Sequence, residues 1–462
     1  MEIAQKVTHV IDRLSFGAGP GDRAHVESIG PAAYIQTQLS PETLAEPNEL
    51  TDQLNQIATL QLTPLALFKQ FSAPPNASSE QRQAAGRRRR RLSQDATRSR
   101  LLMAVTSPRQ LQEVMVDFWF NHFNVFEGKN LTRLWVGAYE NAAIRPHALG
   151  KFKDLLSATA HHPAMLFYLD NWRNTDPDSE AAKGPFRGLN ENYARELMEL
   201  HTLGVDGGYT QTDVETLARI FTGWSTVHPQ QPDTDESGFI FAANRHDSSN
   251  EVLLGQAIAG TGKAEGEQAL ELLAQHPSTA WHISYKLAQH FVADSPPEAL
   301  VSQLSARFTA TDGDIKAVLQ TLFESNAFWN EAHFQRKFRT PYQYVLAQMR
   351  SLGIGSSGPA VTEETIKRFT GALDQLGMPL YRCRTPNGYA QTEAYWLNPD
   401  AMMRRVSLAV ATVNQQKPKP EPAALLETLK GQLSAETTDI VSRVPAPQQT
   451  AVILGSPEMM YR

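Results

Sequence analysis

The stretch of sequence that decides the fold reads Gly188-Leu-Asn-Glu-Asn-Tyr-Ala-Arg-Glu-Leu-Met-Glu-Leu-His-Thr-Leu-Gly204. An α-helix over residues 190–203 places successive side chains roughly 100° apart and so separates them into two faces. The apolar face holds Tyr193, Ala194, Leu197, Leu200 and His201, and the opposite face holds Asn192, Arg195, Glu196 and Glu199. Gly204 follows the last turn, where glycine commonly ends a helix. The stretch therefore predicts an amphipathic helix with amide, guanidinium and carboxylate groups on its polar face.

Most of the remaining chain has the same helical periodicity. Leu111-Gln-Glu-Val-Met-Val-Asp-Phe-Trp-Phe-Asn-His-Phe123, for example, repeats apolar residues at the spacing of a helix. Residues 238–256 differ, because Phe239-Ile-Phe-Ala and Val252-Leu-Leu-Gly are short runs typical of strands. We therefore predict a mainly α protein, either a multi-helix bundle or a toroid-like helical domain, with a small β-hairpin or extended arm near residues 238–256.

Two changes in composition suggest the domain organisation. Residues 73–100 begin with a loop rich in Pro, Ser and Ala and continue into an arginine-rich segment, which indicates an insertion. Lys417-Pro-Lys-Pro-Glu-Pro is typical of a linker. The sequence thus predicts a helical domain over residues 1–415 with an insertion at 73–100, followed by a linker and a C-terminal helical extension over residues 416–462.

The overall composition excludes some classes of protein. The formal net charge of −6 gives no sign of a nucleic-acid-binding domain. Cys383 is the single cysteine, so the chain forms no internal disulfide and no zinc site with two or more thiolates. The N-terminus has no basic region followed by an apolar run, so no signal peptide is predicted in the given sequence. No stretch approaches the roughly 20 apolar residues that cross a bilayer, and the compartment stays unknown.

Five consecutive arginines, Arg87–Arg91, form the strongest local concentration of charge. One interpretation is a solvated basic face at the start of a helix. The other is a site for an anionic ligand such as a nucleic acid, an anionic glycan or a lipid headgroup. Few aromatic residues are interleaved with the arginines, which makes nucleic acid the least favoured of these ligands.

The polar face of the 190–203 helix is the first candidate for catalysis. Glu196 and Glu199 supply two carboxylates, and Arg195 and Asn192 supply hydrogen-bond donors on the same face. These residues predict a carboxylate-lined wall of a cleft. The alternative is an amphipathic surface helix in which Arg195 pairs with Glu199 at i+4.

Histidines outside this helix are the candidate metal ligands. His122 lies among aromatic residues, one of His161 and His162 faces inward, and His246 is followed by Asp247 in the irregular segment. Together with carboxylates they would suit a divalent transition metal such as zinc, iron or manganese, with Asp247 as a further acid–base group. The alternative is that each is an ordinary buried or loop residue. Glu199-x-His201 matches no standard metal motif.

Several segments resemble the bacterial DUF1800 family, a domain of unknown function. They include Phe118-Trp-Phe-Asn-His-Phe, Ala160-His-His-Pro-Ala-Met-Leu-Phe-Tyr-Leu, the Gly188–Gly204 stretch, and Lys337-Phe-Arg-Thr-Pro. The resemblance covers roughly residues 7 to 410. It implies a helical protein that is often periplasmic or secreted, and that is often encoded beside a DUF1501-like protein, a possible partner. It supplies no catalytic residues.

Two functions follow from these observations. The first is a hydrolase, either metal-assisted through His122, His162 and His246, or carboxylate-based and acting on glycans. In the glycan-acting form, the rings of Trp119, Tyr193 and Trp224 would support the sugar. The second function is a non-catalytic binding or assembly protein that acts with a secreted or cell-envelope partner.

Overall fold

The computed structural model describes residues 1–74, 76–229, 231–416 and 419–462. Helices dominate these residues, which confirms the prediction of a mainly α fold. The α-helices up to the strands are Ile3–Leu14, Asp22–Ile29, Pro31–Gln38, Asn48–Asn55, Pro64–Phe71, Ser79–Thr106, Gln110–His122, Thr132–Ala138, Phe152–His161, Pro163–Tyr168, Asn192–Glu196 and Gln211–Ile220.

The chain after the strands is again helical. Its α-helices are Lys263–Gln275, Pro277–Phe291, Glu298–Ala310, Ile315–Glu324, Pro341–Ser351, Glu363–Gln375, Glu393–Trp396, Pro399–Gln415, Pro422–Thr428, Ala435–Arg443, Ala446–Leu454 and Pro457–Met460. The 3₁₀ turns are Pro41–Thr43, Ala58–Gln61, Arg145–His147, Asn171–Arg173, Ala243–Arg245 and Glu331–His333, and the π-helical turns are Tyr139–Ile144 and Leu197–His201.

Among the described residues, two small antiparallel sheets form in and next to the predicted arm at residues 238–256. Trp224–Thr226 pairs with Phe239–Phe241, and Glu251–Leu253 pairs with Gln256–Ile258. The second pair is a hairpin whose two connecting residues, 254 and 255, have φ of 50° and 78°, as a type I′ turn requires. The predicted hairpin is confirmed, and Trp224–Thr226 is a strand that the sequence reasoning did not predict.

The C-terminal residues pack into the same core as the rest of the chain. Buried apolar side chains form one continuous cluster from Val7 to Met460. The Lys337 N–H donates to the Arg462 carbonyl at 3.1 Å, and the Arg462 N–H donates back to the Lys337 carbonyl at 2.8 Å. Residues 417 and 418 of the predicted linker lie outside the described residues, and the division at residue 415 stays a prediction.

The five arginines Arg87–Arg91 lie within the 28-residue Ser79–Thr106 helix. Its start is fixed by a capping box, in which Ser78 Oγ accepts from the Gln81 N–H at 3.2 Å and Gln81 Oε1 accepts from the Ser78 N–H at 2.8 Å. The second half of the helix is buried, whereas Arg87, Arg88, Arg90 and Arg91 are exposed. The second half of this helix thus fixes it in the core, and the first half presents the arginines to solvent.

A buried ionic network holds the buried half of that helix in place. Arg100 donates to Glu140 at 2.7 Å, to Asp117, and to the Tyr342 hydroxyl at 3.0 Å. Tyr381 also donates to the Glu140 carboxylate at 3.0 Å. The charged side chains in these pairs are at most 7% exposed, so their attraction is weakly screened by solvent. The network fixes the Ser79–Thr106 helix against three other parts of the fold.

Candidate functional site

The signature stretch forms a short α-helix, Asn192–Glu196, that continues as the π-helical turn Leu197–His201. The stretch ends at Gly204, which has a φ of 85°. The Gly204 N–H donates to the Met198 carbonyl at 3.1 Å. A π-turn holds more residues than an α-turn, so the regular 100° spacing fails from residue 197 onward. As a result Met198 is buried and Leu200 only half-buried, whereas the sequence predicted Leu200 on the apolar face.

Arg195 pairs in the opposite direction from the one predicted. Its Nη2 lies 2.8 Å from Glu191 Oε2 and donates to Gln211 Oε1 at 2.9 Å. The predicted Arg195–Glu199 pair is wrong, because the π-turn displaces Glu199 from its i+4 position. Asn192 donates from its amide to the Leu169 carbonyl at 3.0 Å and so ties the stretch to a neighbouring helix end.

Glu196 and Glu199 are half-buried and unpaired. In the described ranges, neither carboxylate takes part in a hydrogen bond or ion pair. Burial raises the pKa of Glu196, and the negative charge of Glu199 raises it further. The pKa of Tyr209 is also raised, by burial and then by Glu199, so this hydroxyl borders the carboxylates. Two neighbouring carboxyl groups, one of which has a raised pKa, are a pattern found at general acid–base sites.

His122 does not contact these carboxylates and instead satisfies the end of the signature stretch. Its Nε2 lies 3.0 Å from the His201 carbonyl, and His282 Nε2 lies 3.3 Å from the Leu200 carbonyl. The last carbonyls of a helix lack internal partners, and an imidazole N–H supplies one. Burial lowers the pKa of His122 well below its usual value and that of His282 to about 4, so both rings are neutral donors near neutral pH.

His162 is an N-cap. The Ala164 N–H donates to its Nδ1 at 3.2 Å, and the Ser278 N–H donates to His276 Nδ1 at 3.1 Å in the same way. His162-Pro163 and His276-Pro277 therefore begin their helices in the same way. A histidine ring nitrogen accepts the backbone N–H bond that a Ser or Asp side chain usually accepts at this position. The cap needs an unprotonated Nδ1, and burial lowers the pKa of His162 to about 3.

His246 and Asp247 hold the arm in place. The His246 ring contacts the carboxyl group of the buried Glu265 through Nε2, and its Nδ1 donates to the Thr222 carbonyl at 2.8 Å. Asp247 lies 3.3 Å from Arg219 Nη1. Within the ranges that the structure describes, no group of three or more His, Cys, Asp or Glu side chains is arranged to hold a metal ion. The three predicted histidine ligands thus occupy separate places, and none of them shares a hydrogen bond or ion pair with Glu196 or Glu199.

The predicted sugar platforms are core residues. Trp119 and Trp224 are 0% exposed and Tyr193 is 1% exposed, so no ring face is open to a ligand. The prediction failed because aromatic rings at helical spacing are most often core residues. The exposed aromatic rings are elsewhere, and Trp281 and Tyr285 on the Pro277–Phe291 helix are 40% and 37% exposed.

A strongly charged cleft of about 570 Å³ lies between the Ser79–Thr106 and Glu363–Gln375 helices and the loop that follows the second helix. We call it the arginine cleft. Its charged lining residues are Arg87, Arg91, Arg98, Lys367 and Arg382, with Asp95, Glu127, Glu363 and Asp374. The first three lie on one face of their helix, because they are spaced by four and seven residues.

The basic side chains of the arginine cleft differ in how well they are paired. Arg382 lies 3.3 Å from Asp374, whereas Arg91 lies at the longer distance of 4.0 Å from Asp95. Among the described residues, the side chains of Arg87, Arg98 and Lys367 form no ion pair or hydrogen bond. Sequence reasoning found the arginine run but missed Lys367 and Arg382, which are distant in sequence and carry no local signal.

In the described part of the chain, no helix is long and apolar enough to cross a bilayer.

Comparison with known proteins gives one match. A family model described as "Protein of unknown function (DUF1800)" matches residues 9–461. No curated protein and no solved structure matches the chain.

Proposed function

Because the chain belongs to the DUF1800 family, whose description gives no activity, we propose a function from this chain's own geometry: it is a binding protein that holds an acidic partner in the arginine cleft. The observation that carries the proposal is a set of three cations around a cleft of about 570 Å³, Arg87, Arg98 and Lys367, whose side chains have no partner among the described residues. Cations that lack partners within the chain are available to carboxylates from outside it.

The spacing of the arginines indicates the size of the ligand. Arg87 and Arg98 are eleven residues apart on one continuous helix, which is about 16 Å along the axis at 1.5 Å per residue. A single small anion cannot contact both. The proposed ligand is therefore a surface or segment with several carboxylates, and a DUF1501-like protein is the first partner to test on the basis of the family resemblance.

Polyglutamate is a suitable probe for this cleft. We expect Arg87→Gln/Arg91→Gln to weaken its binding about tenfold, since two exposed charge contacts together contribute about 1–2 kcal/mol. The matched control is Arg88→Gln/Arg90→Gln, which removes the same charge from the same helix but outside the cleft lining. Isothermal titration of both variants at low salt measures the difference. Equal weakening in the two variants would mean unspecific attraction to the arginine run and would contradict the proposal.

Glu196 supports a second candidate function, a carboxylate-based hydrolase acting on glycans. Its raised pKa beside a second carboxyl group, that of Glu199, fits the general acid of a two-carboxyl site. We favour this form over the metal-assisted one because no suitable group of three His, Cys, Asp or Glu side chains is found in the described ranges.

Glu196→Gln tests the hydrolase directly. If Glu196 is the acid, glycan hydrolysis by the variant falls by about 100-fold or more. Its free energy of unfolding stays within about 0.5 kcal/mol of the original, because the carboxylate has no partner to lose. Glu191→Gln is the control. Glu191 lies at the other end of the short helix from Glu196, and its carboxylate is paired with Arg195. The hydrolase candidate is rejected if no glycan in a broad screen is cleaved, or if Glu196→Gln cleaves as fast as the original chain.

A further inference from the structure

Lys286 has no partner in the part of the chain that the structure describes. It lies on the Pro277–Phe291 helix, four residues after His282, and is half-buried. Its amine forms neither an ion pair nor a hydrogen bond with any described residue. Burial lowers the pKa of this amine to about 8, so a substantial fraction carries a free electron pair near neutral pH.

Three histidines form a cluster next to the helical turn that carries this lysine. The ring centroid of His122 lies 6.0 Å from that of His201 and 6.1 Å from that of His282, and Lys286 follows His282 by one turn of the same helix. The positive charge of Lys286 is one of the causes that lower the pKa of all three rings. His122 Nδ1 and His201 Nε2 are buried and have no hydrogen-bond partner among the described residues. These two rings are 2% and 1% exposed, so an amine with two unused ring nitrogens nearby forms a polar cluster that the fold itself does not satisfy.

We propose that Lys286 is the reactive amine of a second site, which takes a ligand with an aldehyde or ketone group as an imine. The neutral amine nitrogen attacks the carbonyl carbon, a C–N bond forms, and the π electrons of the carbonyl group move to its oxygen. One proton of the nitrogen passes, by way of an unpaired ring nitrogen such as His122 Nδ1, to that oxygen and gives a hydroxyl. The second nitrogen proton reaches the hydroxyl by the same route, the C–O bond breaks, and water leaves as the C=N bond forms. No oxidant or reductant is needed, and the site is independent of the arginine cleft.

A ligand would approach this amine from the solvent-exposed side of the Pro277–Phe291 helix. Lys286 and His282 are half-buried, and the exposed rings of Trp281 and Tyr285 precede each of them on the same helix. A ligand with an apolar part next to its carbonyl group would contact those rings while the carbonyl carbon reaches the amine.

Lys337 is a matched control within the same chain. Burial lowers its pKa to about 8 as well, but its amine is paired with Asp294 and donates to the Gln391 carbonyl at 2.9 Å. The two lysines thus share a lowered pKa but differ in pairing and in burial, since Lys337 is 2% exposed and Lys286 is half-buried. A comparison between them tests whether a lowered pKa alone makes an amine reactive.

Reductive alkylation of the folded full chain tests the proposal. The protein is incubated with acetaldehyde and cyanoborohydride at about pH 7.5, and alkylated lysines are mapped by mass spectrometry. We expect Lys286 to react about tenfold faster than the exposed Lys183 and Lys367, because a pKa near 8 leaves far more neutral amine than one near 10.4. Lys337 stays slow, and Lys286→Arg removes the fast site.

Two results would overturn the proposal. One is a rate at Lys286 no greater than at Lys183, which would show that the amine is not accessible or not activated. The other is an equal rate at Lys337, which would show that lowered pKa alone accounts for the reactivity and that the histidine cluster has no part in it.

Discussion

Replacing Arg100 by methionine is expected to lower the free energy of unfolding by about 3–5 kcal/mol. The substitution keeps much of the side-chain volume but leaves the Asp117 carboxylate buried without its cation, and it leaves Glu140 with Arg145 alone, at 3.2 Å. It also removes the guanidinium from the rings of Tyr342 and Tyr381, whose centroids lie 4.9 Å and 5.6 Å away. Urea unfolding of the variant and the original chain measures the loss.

An exposed ion pair of the same length is the control for that experiment. Arg443 lies 2.6 Å from Asp439, and the two side chains are 74% and 51% exposed. Arg443→Met is expected to cost less than about 0.5 kcal/mol, since water screens the pair. If Arg100→Met cost no more than Arg443→Met, the buried network would not be what fixes the Ser79–Thr106 helix.

Acidification is expected to destabilise the protein strongly between about pH 6.5 and pH 4. Burial lowers the pKa of His162 and His201 to about 3 and that of His282 to about 4, from 6.5. Within that window the unfolded chain binds protons that the folded chain does not, so the stability present above pH 6.5 is lost as the pH falls. We expect a loss of at least about 5 kcal/mol by about pH 4.5. Buried carboxyls with raised pKa values, such as Glu113, offset part of it.

The number of protons taken up on unfolding identifies the groups responsible. His282→Gln keeps an N–H that can donate to the Leu200 carbonyl but cannot be protonated in this range. The slope of unfolding free energy against pH should therefore be shallower by about one proton in this variant. A free energy of unfolding that is the same at pH 7 and pH 4.5, or an unchanged slope in His282→Gln, would contradict this explanation of acid lability.

The helical character of the chain was predictable because apolar periodicity is a local property. The signature stretch shows the limit of that reasoning. A helical wheel placed Glu196 and Glu199 away from His201 correctly, since they are half-buried and His201 is buried. It failed for Arg195 because the wheel assumes α-helical spacing, and the π-turn at Leu197–His201 breaks that spacing.

Residue type alone was a poor guide to the roles of the histidines. Each of the three predicted histidine ligands bonds to a backbone group. His122 donates to a carbonyl at the end of a helix, His162 accepts from an N–H at the start of one, and His246 donates to the Thr222 carbonyl. Such roles depend on which backbone groups remain unpaired after folding, and those groups cannot be identified from composition or spacing. The arginine run was visible in the sequence, but the opposite wall of its cleft came from residues far along the chain.

The most direct test of the arginine cleft is a map of which arginines a bound acidic ligand protects. Phenylglyoxal modifies accessible guanidinium groups, and mass spectrometry reports the rate at each arginine with and without polyglutamate. We predict slower modification of Arg87, Arg91 and Arg98 in the complex, with Arg88 and Arg90 on the same helix little changed. Equal protection of all five, or protection of Arg88 and Arg90 alone, would show that the ligand does not bind in the cleft.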